Sequence, residues 1–338
     1  MSKKRISIND IAAKFQVSAA TISYIINGKA KEKRISNDLT KRVLKLIEEV
    51  DYRPSQMATS LRTGTSKIIG LMVDDISNPF FADVAKLIEN LAYDNDYRII
   101  YCSTDNETEK AIGIIKMFRD RNVDGYIIAP PQGIEKEISG LLKDNIPLVL
   151  FDRFLPETST SFVVTDNSNS TYQAICHFIS EGFKNPALFM SDSTQYQMQE
   201  RERGYLKAIE ENALKPVVKK LQVTGSHEGI IAKLTTLLKE EDNIDSILFS
   251  SNYLTICALE IFKKMKIVIP NDIAIISFDD HQLFNFYSPT ITAIVQPLKK
   301  ISVEILDILL NQMKDNDQDS QIIIPSILVQ RASSVKEK

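Results

Sequence analysis

The sequence predicts two parts: a small all-α unit, followed by a larger α/β unit built on two doubly wound parallel sheets. Three observations support this prediction. The stretch Ile8–Asn27 has the apolar spacing of two short helices joined by a tight turn. From Lys67 onward, continuous apolar segments alternate with amphipathic ones, as in parallel sheets that are covered by helices on both faces. A length of 338 residues suits one small domain and one two-lobed domain.

The first predicted helix begins after Ser7, which forms a capping-box pattern with Asp10. Apolar residues then recur at helical spacing on one face: Ile8, Ile11, Ala12 and Phe15. The face is interrupted at Gln16-Val17, where we expect the turn. A third helix is predicted from its cap at Ser36 onward.

Ser18 is predicted to cap the second helix, and Gly28 to end it in a left-handed conformation. Its buried stripe is Ile22, Ile25 and Ile26. The outward positions are small or hydrogen-bonding, and none is acidic: Ser18, Ala19, Ala20, Thr21, Ser23, Tyr24 and Asn27. A helix in the major groove of DNA needs such a face, because a carboxylate would meet phosphates. The alternative is an ordinary helical hairpin.

Charge is unevenly distributed along the chain. Residues 1–64 contain thirteen lysines and arginines against six acidic residues, whereas the whole chain has a net charge of −3. A basic first part on an acidic remainder favours nucleic-acid binding at one end. We expect phosphate contacts from Lys3, Lys4 and Arg5 and from the loop Lys29–Ile35, through Lys31, Lys33 and Arg34. Chance clustering of solvated charge is the alternative.

The composition excludes several classes of protein. Cys102, Cys176 and Cys257 lie far apart in apolar segments, which predicts buried free thiols in a reducing compartment. The sequence contains no Cys/His cluster, so neither a metal nor a cofactor is expected. It shows no nucleophile–base constellation and no glycine-rich phosphate loop, which argues against an enzyme. With no membrane-spanning apolar run and no signal peptide, the protein is predicted to be cytoplasmic and to have no membrane partner.

The α/β part contains two runs of predicted strands. The first run is Ile68–Val73, Arg98–Ser103, Gly125–Ala129, Pro147–Phe151 and Phe162–Val164. The second run is Pro186–Met190, Ile247–Phe249 and Ile273–Phe278. Helices are predicted between the strands, and two such runs indicate two lobes.

Six segments of the chain carry a resemblance to a known family. They are SINDIAAKFQVSAATISYIING, YRPSQMATSLRTGTS, KIIGLMVDDISNPFF, VDGYIIAPP, RERGY and IPNDIAIISFDD. In their order and in their coverage of nearly the whole chain, they resemble the lactose-repressor/galactose-repressor family of bacterial transcription regulators. The chain departs from the family's common residues at Gln16 (Gly in the family), Tyr24 (Arg), Ser55 (Asn) and Tyr253 (Asp).

The resemblance implies a helix-turn-helix DNA-binding headpiece over residues 1–52, a hinge over 53–65, and a periplasmic-binding-protein-like effector and dimerisation domain over 66–338. The N-terminal lobe of that domain is expected at about 66–165 and 292–322, and the C-terminal lobe at about 166–291 and 323–332. The helix Lys299–Leu310 would return to the N-terminal lobe. The tail Ser333–Lys338 is predicted to be disordered.

In the family, the hinge folds into a helix only on DNA, where two copies from a dimer enter the minor groove. Pro54–Ser60 fits this behaviour, because proline is favoured at a first helical position and so short a helix does not persist alone in water. The resemblance assigns Leu61 as a wedge between bases. Ser7, Tyr52, Ser55 and Ala58 complete the predicted DNA contacts. A plain linker is the alternative.

Ligands of doubly wound folds bind at the carboxyl ends of the strands. The predicted effector-binding residues all follow such strands or match family motifs: Phe80, Phe81, Asp152, Arg201, Asn252, Tyr253 and Asp279. An arginine, carboxylates and an amide suit a sugar or sugar derivative, because each hydroxyl both donates and accepts. Capping and turn formation are the alternative role of Asp279, and at least one of the two phenylalanines is expected in the core. The alternative for Tyr253 is a position facing the lobe interior, and the alternative for Arg201 is a structural ion pair within the lobe.

Together these inferences predict a homodimeric repressor in the cytoplasm, associated with the nucleoid. It would bind a pseudo-palindromic operator and respond to a small effector between its lobes. A periplasmic solute receptor with the same fold is the alternative. The basic headpiece and the lack of a signal peptide disfavour it.

Overall fold

The computed structural model describes residues 6–52, 64–222, 227–240, 243–314 and 319–336. The chain divides into two compact units, Met1–Ser66 and Lys67–Lys338. The arm Lys3–Arg5 and the predicted hinge helix, with Ser55, Ala58 and Leu61, lie outside the described residues. None of the helices in the described part of the chain is both long and apolar enough to cross a membrane.

The first unit contains three helices: α1 (Ile8–Phe15), α2 (Ala19–Ile26) and α3 (Asn37–Glu49). Each helix is capped by the serine predicted for it: Ser7, Ser18 and Ser36. A cap satisfies a backbone N–H that has no partner within the helix. Gln16 adopts a left-handed conformation with φ of 52° and ends α1, so the turn needs no glycine there. The helices enclose a small aliphatic core: Ile11, Ala12, Ile22, Ile25, Val43 and Leu46.

The described strands of the second unit form two six-stranded sheets. In chain order they are β1 (Ile68–Val73), β2 (Arg98–Ser103), β3 (Gly125–Ile128), β4 (Leu148–Phe151), β5 (Ser161–Thr165), β6 (Pro186–Ser191), β7 (Val218–Leu221), β8 (Ser246–Phe249), β9 (Ala274–Phe278), β10 (Thr292–Val295), β11 (Gln321–Ile324) and β12 (Ile327–Val329). The strand order is β11-β5-β4-β3-β1-β2 in the first sheet and β12-β10-β9-β8-β6-β7 in the second. Only the pair β10–β12 is antiparallel among these described strands.

Helices cover both faces of each sheet, as predicted for a doubly wound fold. They are α4 (Pro79–Asp94), α5 (Thr108–Asp120), α6 (Glu135–Lys143), α7 (Asn167–Ser180), α8 (Tyr196–Glu211), α9 (His227–Lys239), α10 (Asn252–Met265), α11 (Gln282–Phe286) and α12 (Leu298–Gln312). On the first sheet, α4 and α12 pack on one face and α5 and α6 on the other. On the second sheet, α9 and α10 oppose α7 and α8. Helix α12 therefore returns to the first lobe, as predicted.

Two lobe boundaries differ from the prediction. Residues 292–295 were expected in the first lobe, but β10 pairs with β9 in the second sheet, with Thr292 beside Ile276. Residues 323–324 were expected in the second lobe, but β11 pairs with β5 in the first sheet, with Ile323 beside Val164. Both segments are short apolar runs, and such a run does not reveal which sheet it joins.

The C-terminal tail is ordered as far as Lys336, which corrects the prediction for Ser333–Lys338. Ser333 lies in a 3₁₀ turn and is fully buried. Its Oγ donates a hydrogen bond of 2.7 Å to the carbonyl of Ile275 and accepts one of 2.8 Å from the N–H of Thr292. These bonds fasten the tail to β9 and β10.

Gly204 marks a close approach of α7 and α8. A Cβ added there would overlap the carbonyl oxygen of Ser168 on α7. We therefore expect Gly204→Ala to lower the free energy of unfolding by about 2–3 kcal/mol, because helix backbones must move apart. The matched control is Gly113→Ala in α5, where a Cβ meets nothing within 4 Å. It should leave stability unchanged or raise it by up to about 1 kcal/mol. Urea denaturation of the full chain measures both, and equal effects would contradict this packing.

Candidate ligand cleft and nucleic-acid interface

Arg201 on α8 is buried in the cleft between the two lobes. It is only 3% exposed. Its Nε donates to Oδ1 of Asn167 at 2.9 Å, and its Nη1 donates to the carbonyl of Ser250 at 2.5 Å. The guanidinium carbon lies 3.4 Å from the ring centroid of Phe278. A buried guanidinium is costly unless carboxylates neutralise it, so its charged neighbours decide its role.

Two aspartates flank Arg201, one from each lobe. Asp152 follows β4 and Asp279 follows β9, and both have left-handed backbones, with φ of 65° and 68°. Burial raises the pKa of both carboxyls. The positive charge of Arg153, followed by that of Arg201, partly opposes this for Asp152, and that of Arg201 partly opposes it for Asp279. Burial lowers the pKa of Arg201, which Asp279 and Asp152 counteract. Gln296 adds a hydrogen bond of 2.6 Å from Nε2 to Oδ1 of Asp279.

The charges continue into the first lobe through Arg153. Its Nε donates to Asp152 and its Nη2 to Asp74, both at 3.0 Å. Its Nη1 donates to Asn106 at 3.2 Å. Asp74, Arg153, Asp152, Arg201 and Asp279 thus form one alternating series, which we call the cleft charge network. The charges of both lobes depend on one another across the cleft.

A pocket of about 410 Å³ opens beside this network. That volume lies in the range of small-molecule sites. Its lining comes from the start of α4, the segment after β9 with α11, and the crossing after β10: Pro79, Phe80, Asp83, Asp279, Asp280, His281, Gln282, Asn285, Val295, Gln296 and Leu298.

The structure brings together only some of the predicted effector residues. Phe80 and Asp279 line the pocket, and Asp152 and Arg201 adjoin it through the charge network. Asn252 is buried at the start of α10, with Nδ2 3.5 Å from the carbonyl of Asp280.

Phe81 and Tyr253 lie away from the pocket, in the core positions that were the alternatives for them. Phe81 packs edge-to-face against Phe80 at 5.0 Å and against Phe151 at 6.1 Å between ring centroids, within the core of the first lobe. The hydroxyl of Tyr253 is 3.4 Å from Nδ1 of His227, on the side of α10 that packs against α9. Neighbouring residues on a helix point about 100° apart, so only one residue of such a pair faces the cleft.

Several polar groups of the cleft escaped the sequence analysis. Nε2 of Gln132 in the first lobe donates to Oγ1 of Thr194 in the second at 2.5 Å. Nε2 of Gln195 in the second lobe donates to Oδ1 of Asn106 in the first at 2.7 Å. These residues lie in loops, where apolar periodicity carries no signal. Asp74 had a usable signal, because it follows β1 directly.

The predicted DNA-binding side chains of the first unit occupy two kinds of position. Ser7 and Ser18 cap helices, Ala19 is half-buried against the core, and Tyr52 packs partly against the same core. Also exposed, besides Ser7 and Ser18, are Ala20 and Tyr24 on α2, Asn27 at its C-cap, and Lys31, Lys33 and Arg34 in the loop that follows. Thr21 and Ser23 are partly exposed beside them.

The basic loop Lys29–Ile35 has a defined conformation. The N–H of Lys33 donates to the carbonyl of Lys29 at 3.1 Å, and the N–H of Ile35 donates to the carbonyl of Ala30 at 2.9 Å. Ala30 and Ile35 pack on the core of the first unit. The turn therefore presents its cations to solvent on the same unit as the exposed face of α2.

The first unit has three helices and a basic surface, and the second has two lobes with a ligand-sized cleft. This combination defines a DNA-binding regulator that responds to a small molecule. The family model for "Bacterial regulatory proteins, lacI family" matches residues 7–55, and that for "Periplasmic binding protein-like domain" matches residues 175–334. The chain belongs to the lacI family of bacterial regulatory proteins, which confirms the predicted family and fold.

Similar proteins cover almost the whole chain. The ribose operon repressor of Halalkalibacterium halodurans is 30% identical over 330 residues, which are 97% of each chain. The HTH-type transcriptional repressor PurR of Photobacterium profundum is 27% identical over 98% of this chain and 99% of its own. The crystal structure of the lac repressor dimer bound to operator and the anti-inducer ONPF has a TM-score of 0.82 at 18% identity, covering 98% of this chain and 100% of its own, and shows the shared fold. The chain is thus a transcription regulator rather than an enzyme or a solute receptor.

Proposed function

We propose that this protein represses transcription by binding a pseudo-palindromic operator as a homodimer, and that a small carbohydrate in the cleft controls its DNA affinity. The cleft charge network is the observation that carries this proposal. Asp152 from one lobe and Asp279 from the other share the buried Arg201, so a change in lobe spacing changes the energy of that charge. A ligand beside the network is thereby coupled to lobe geometry.

The pocket lining supports a carbohydrate as the effector. Amide and carboxylate groups of Asp279, Gln282, Asn285 and Gln296 offer both donors and acceptors, and the ring of Phe80 offers an apolar surface. The described lining includes three aspartates and neither lysine nor arginine. Arg331 pairs with Asp280 and Arg201 opposes Asp279, so the lining offers no unbalanced positive charge to an anionic ligand, whereas the hydroxyls of a neutral sugar find partners.

Exposed aromatic side chains on the first lobe support a homodimer. Tyr101 is 52% exposed on β2, the edge strand of the first sheet, and Tyr93 on α4 is 63% exposed. An unpaired edge with apolar side chains favours association with another chain. The proposed organisation is a headpiece over 1–52, a hinge over 53–65 with Leu61 in the minor groove, and the effector domain over 66–338. Its proposed place of action is nucleoid DNA in the cytoplasm.

A thermal-shift screen of the full chain against sugars and nucleobases tests the effector class. At a hundred times its Kd, a cleft ligand adds about 2.7 kcal/mol to stability. With roughly 2–4 °C per kcal/mol for a domain of this size, we expect a sugar to raise Tm by roughly 5–10 °C. Asp279→Asn should reduce that shift, since it removes a charged acceptor from the pocket. A panel in which only nucleobases raise Tm would contradict the carbohydrate.

A further inference from the structure

The exposed face of α2 is a narrow stripe of three residues one turn apart. Ala20, Tyr24 and Asn27 are exposed, whereas Ile22 and Ile25 on the opposite face are buried. Spacings of four and three residues align side chains along one side of a helix. Tyr24 is 37% exposed and is the largest side chain of this stripe.

The polar side chains around Tyr24 are occupied with one another. Oγ of Ser18 lies 3.0 Å from Oγ1 of Thr21 and also caps the Thr21 N–H. Nδ2 of Asn27 donates to the carbonyl of Ser23 at 2.7 Å and to its Oγ at 3.3 Å. In the part of the chain that the structure describes, the Tyr24 hydroxyl has no hydrogen-bond partner. Helix α2 (AATISYII) also contains no charged residue.

The side chains available on α2 restrict how this helix can distinguish base pairs. Guanine is typically read by arginine or lysine through N7 and O6, and adenine by asparagine or glutamine through N7 and N6. The helix carries none of these, and Asn27 just beyond it turns its amide back onto Ser23. A methyl group instead contacts the 5-methyl of thymine.

We infer that α2 reads its operator through thymine 5-methyl groups, which Ala20 contacts, together with one hydrogen bond from the Tyr24 hydroxyl to a base edge. The inference rests on the proposed operator binding and names the sequence class that α2 selects, with thymine where Ala20 meets the groove. Lys33 supports it: its Nζ lies 5.2 Å from the centre of the Tyr24 ring. A cation at that distance attracts the ring face and so restrains its orientation.

The test begins with a duplex selected from a randomised library by the full chain, with and without any ligand from the thermal-shift screen. Each thymine is then replaced by uracil, which removes only the 5-methyl group, and affinity is measured by fluorescence anisotropy at one salt concentration. We expect uracil at one position of one half-site to weaken binding by about fourfold, which is the contribution of one buried methyl group. Uracil at that position in both half-sites should weaken binding by roughly 15-fold. Replacing guanines by 7-deazaguanine, which removes the N7 acceptor, should have no comparable effect at the bases that face α2.

Protein variants assign the methyl contact to one side chain. In Ala20→Gly, the uracil substitution should lose its effect at the position that Ala20 contacts. The matched control Ala13→Gly makes the same change at an exposed position of α1 and should keep the full fourfold effect. Tyr24→Phe retains the ring and should weaken the selected duplex by about fivefold per lost hydrogen bond.

The outcomes separate this inference from the function on which it rests. A selected duplex whose affinity ignores uracil but falls with 7-deazaguanine would overturn thymine reading while leaving operator binding intact. A uracil effect that persists unchanged in Ala20→Gly would also overturn it. A library from which the full chain enriches no sequence, with or without ligand, would overturn the proposed operator binding itself.

Discussion

Replacing Arg201 by alanine is expected to lower the free energy of unfolding by about 3–5 kcal/mol and to weaken the cleft ligand by at least about tenfold. Removing one partner of a buried ion pair leaves the other charge without compensation. Here Asp279 would keep its burial and lose its main opposing charge, whereas Asp152 would keep its ion pair with Arg153. The buried acceptors on Asn167 and Ser250 would also lose their donor. The loss of a positive charge beside Asp279, which lines the pocket, adds the second effect.

Arg203 provides a matched control on the same helix. Its side chain is 69% exposed, so solvent screens its ion pair with Glu200 on the arginine side, although the Glu200 side chain is only 13% exposed. Arg203→Ala should therefore cost less than about 1 kcal/mol. Urea denaturation measures stability, and calorimetry below the unfolding transition measures ligand affinity. If both arginine variants lost the same small stability, the cleft charge network would not be the buried structure described above.

Operator binding is expected to depend steeply on salt. Each neutralised phosphate contributes about −0.9 to the slope of log affinity against log salt concentration. Six to ten contacts would reduce affinity by about 10³- to 10⁵-fold between 50 and 200 mM salt. Residues 1–64 contain thirteen lysines and arginines, which is enough for six to ten phosphate contacts. Anisotropy titrations over that salt range give the slope.

Single lysine variants attribute that slope to the first unit. Lys31→Ala removes an exposed cation from the basic loop. In a homodimer each substitution occurs twice, so the slope should decrease in magnitude by about 1.8. Lys86→Ala removes an exposed cation on α4 in the second unit, and we expect it to leave the slope unchanged. A decrease of only about 0.9 for Lys31→Ala would contradict a symmetric dimer, and no decrease would remove this loop from the interface.

The sequence predicts the strands that contain a continuous apolar run much better than those that do not. The predicted bounds of β1 and β2 agree with the structure. Strand β7 has the sequence VKKL, which shows no apolar run, and β12 has only three residues. Both β7 and β12 are edge strands of the second sheet. An edge strand faces solvent on one side, so its composition can resemble that of a loop. The C-terminal tail was predicted to be disordered because the hydrogen-bond partners of its serines, on β9 and β10, are distant in sequence.

The sequence predicts those cleft residues that directly follow a strand. It does not predict which helical side chains point into the cleft. Asp152 and Asp279 follow apolar strands, and the carboxyl ends of parallel strands meet at one edge. Phe81 and Tyr253 are each next to a residue that faces the pocket or is buried beside it. Which of two neighbouring helical residues faces inward depends on the packing of the whole lobe.

Calorimetric titration of the thermal-shift ligand into the free protein and into its operator complex tests the central claim most directly. Control of DNA affinity by the cleft requires that ligand and operator change each other's affinity by the same factor. We expect the ligand's Kd to differ by about five- to 150-fold between the two states, and operator affinity to change equally when ligand is present. A ligand that occupies the cleft with the same Kd in both states would contradict the account.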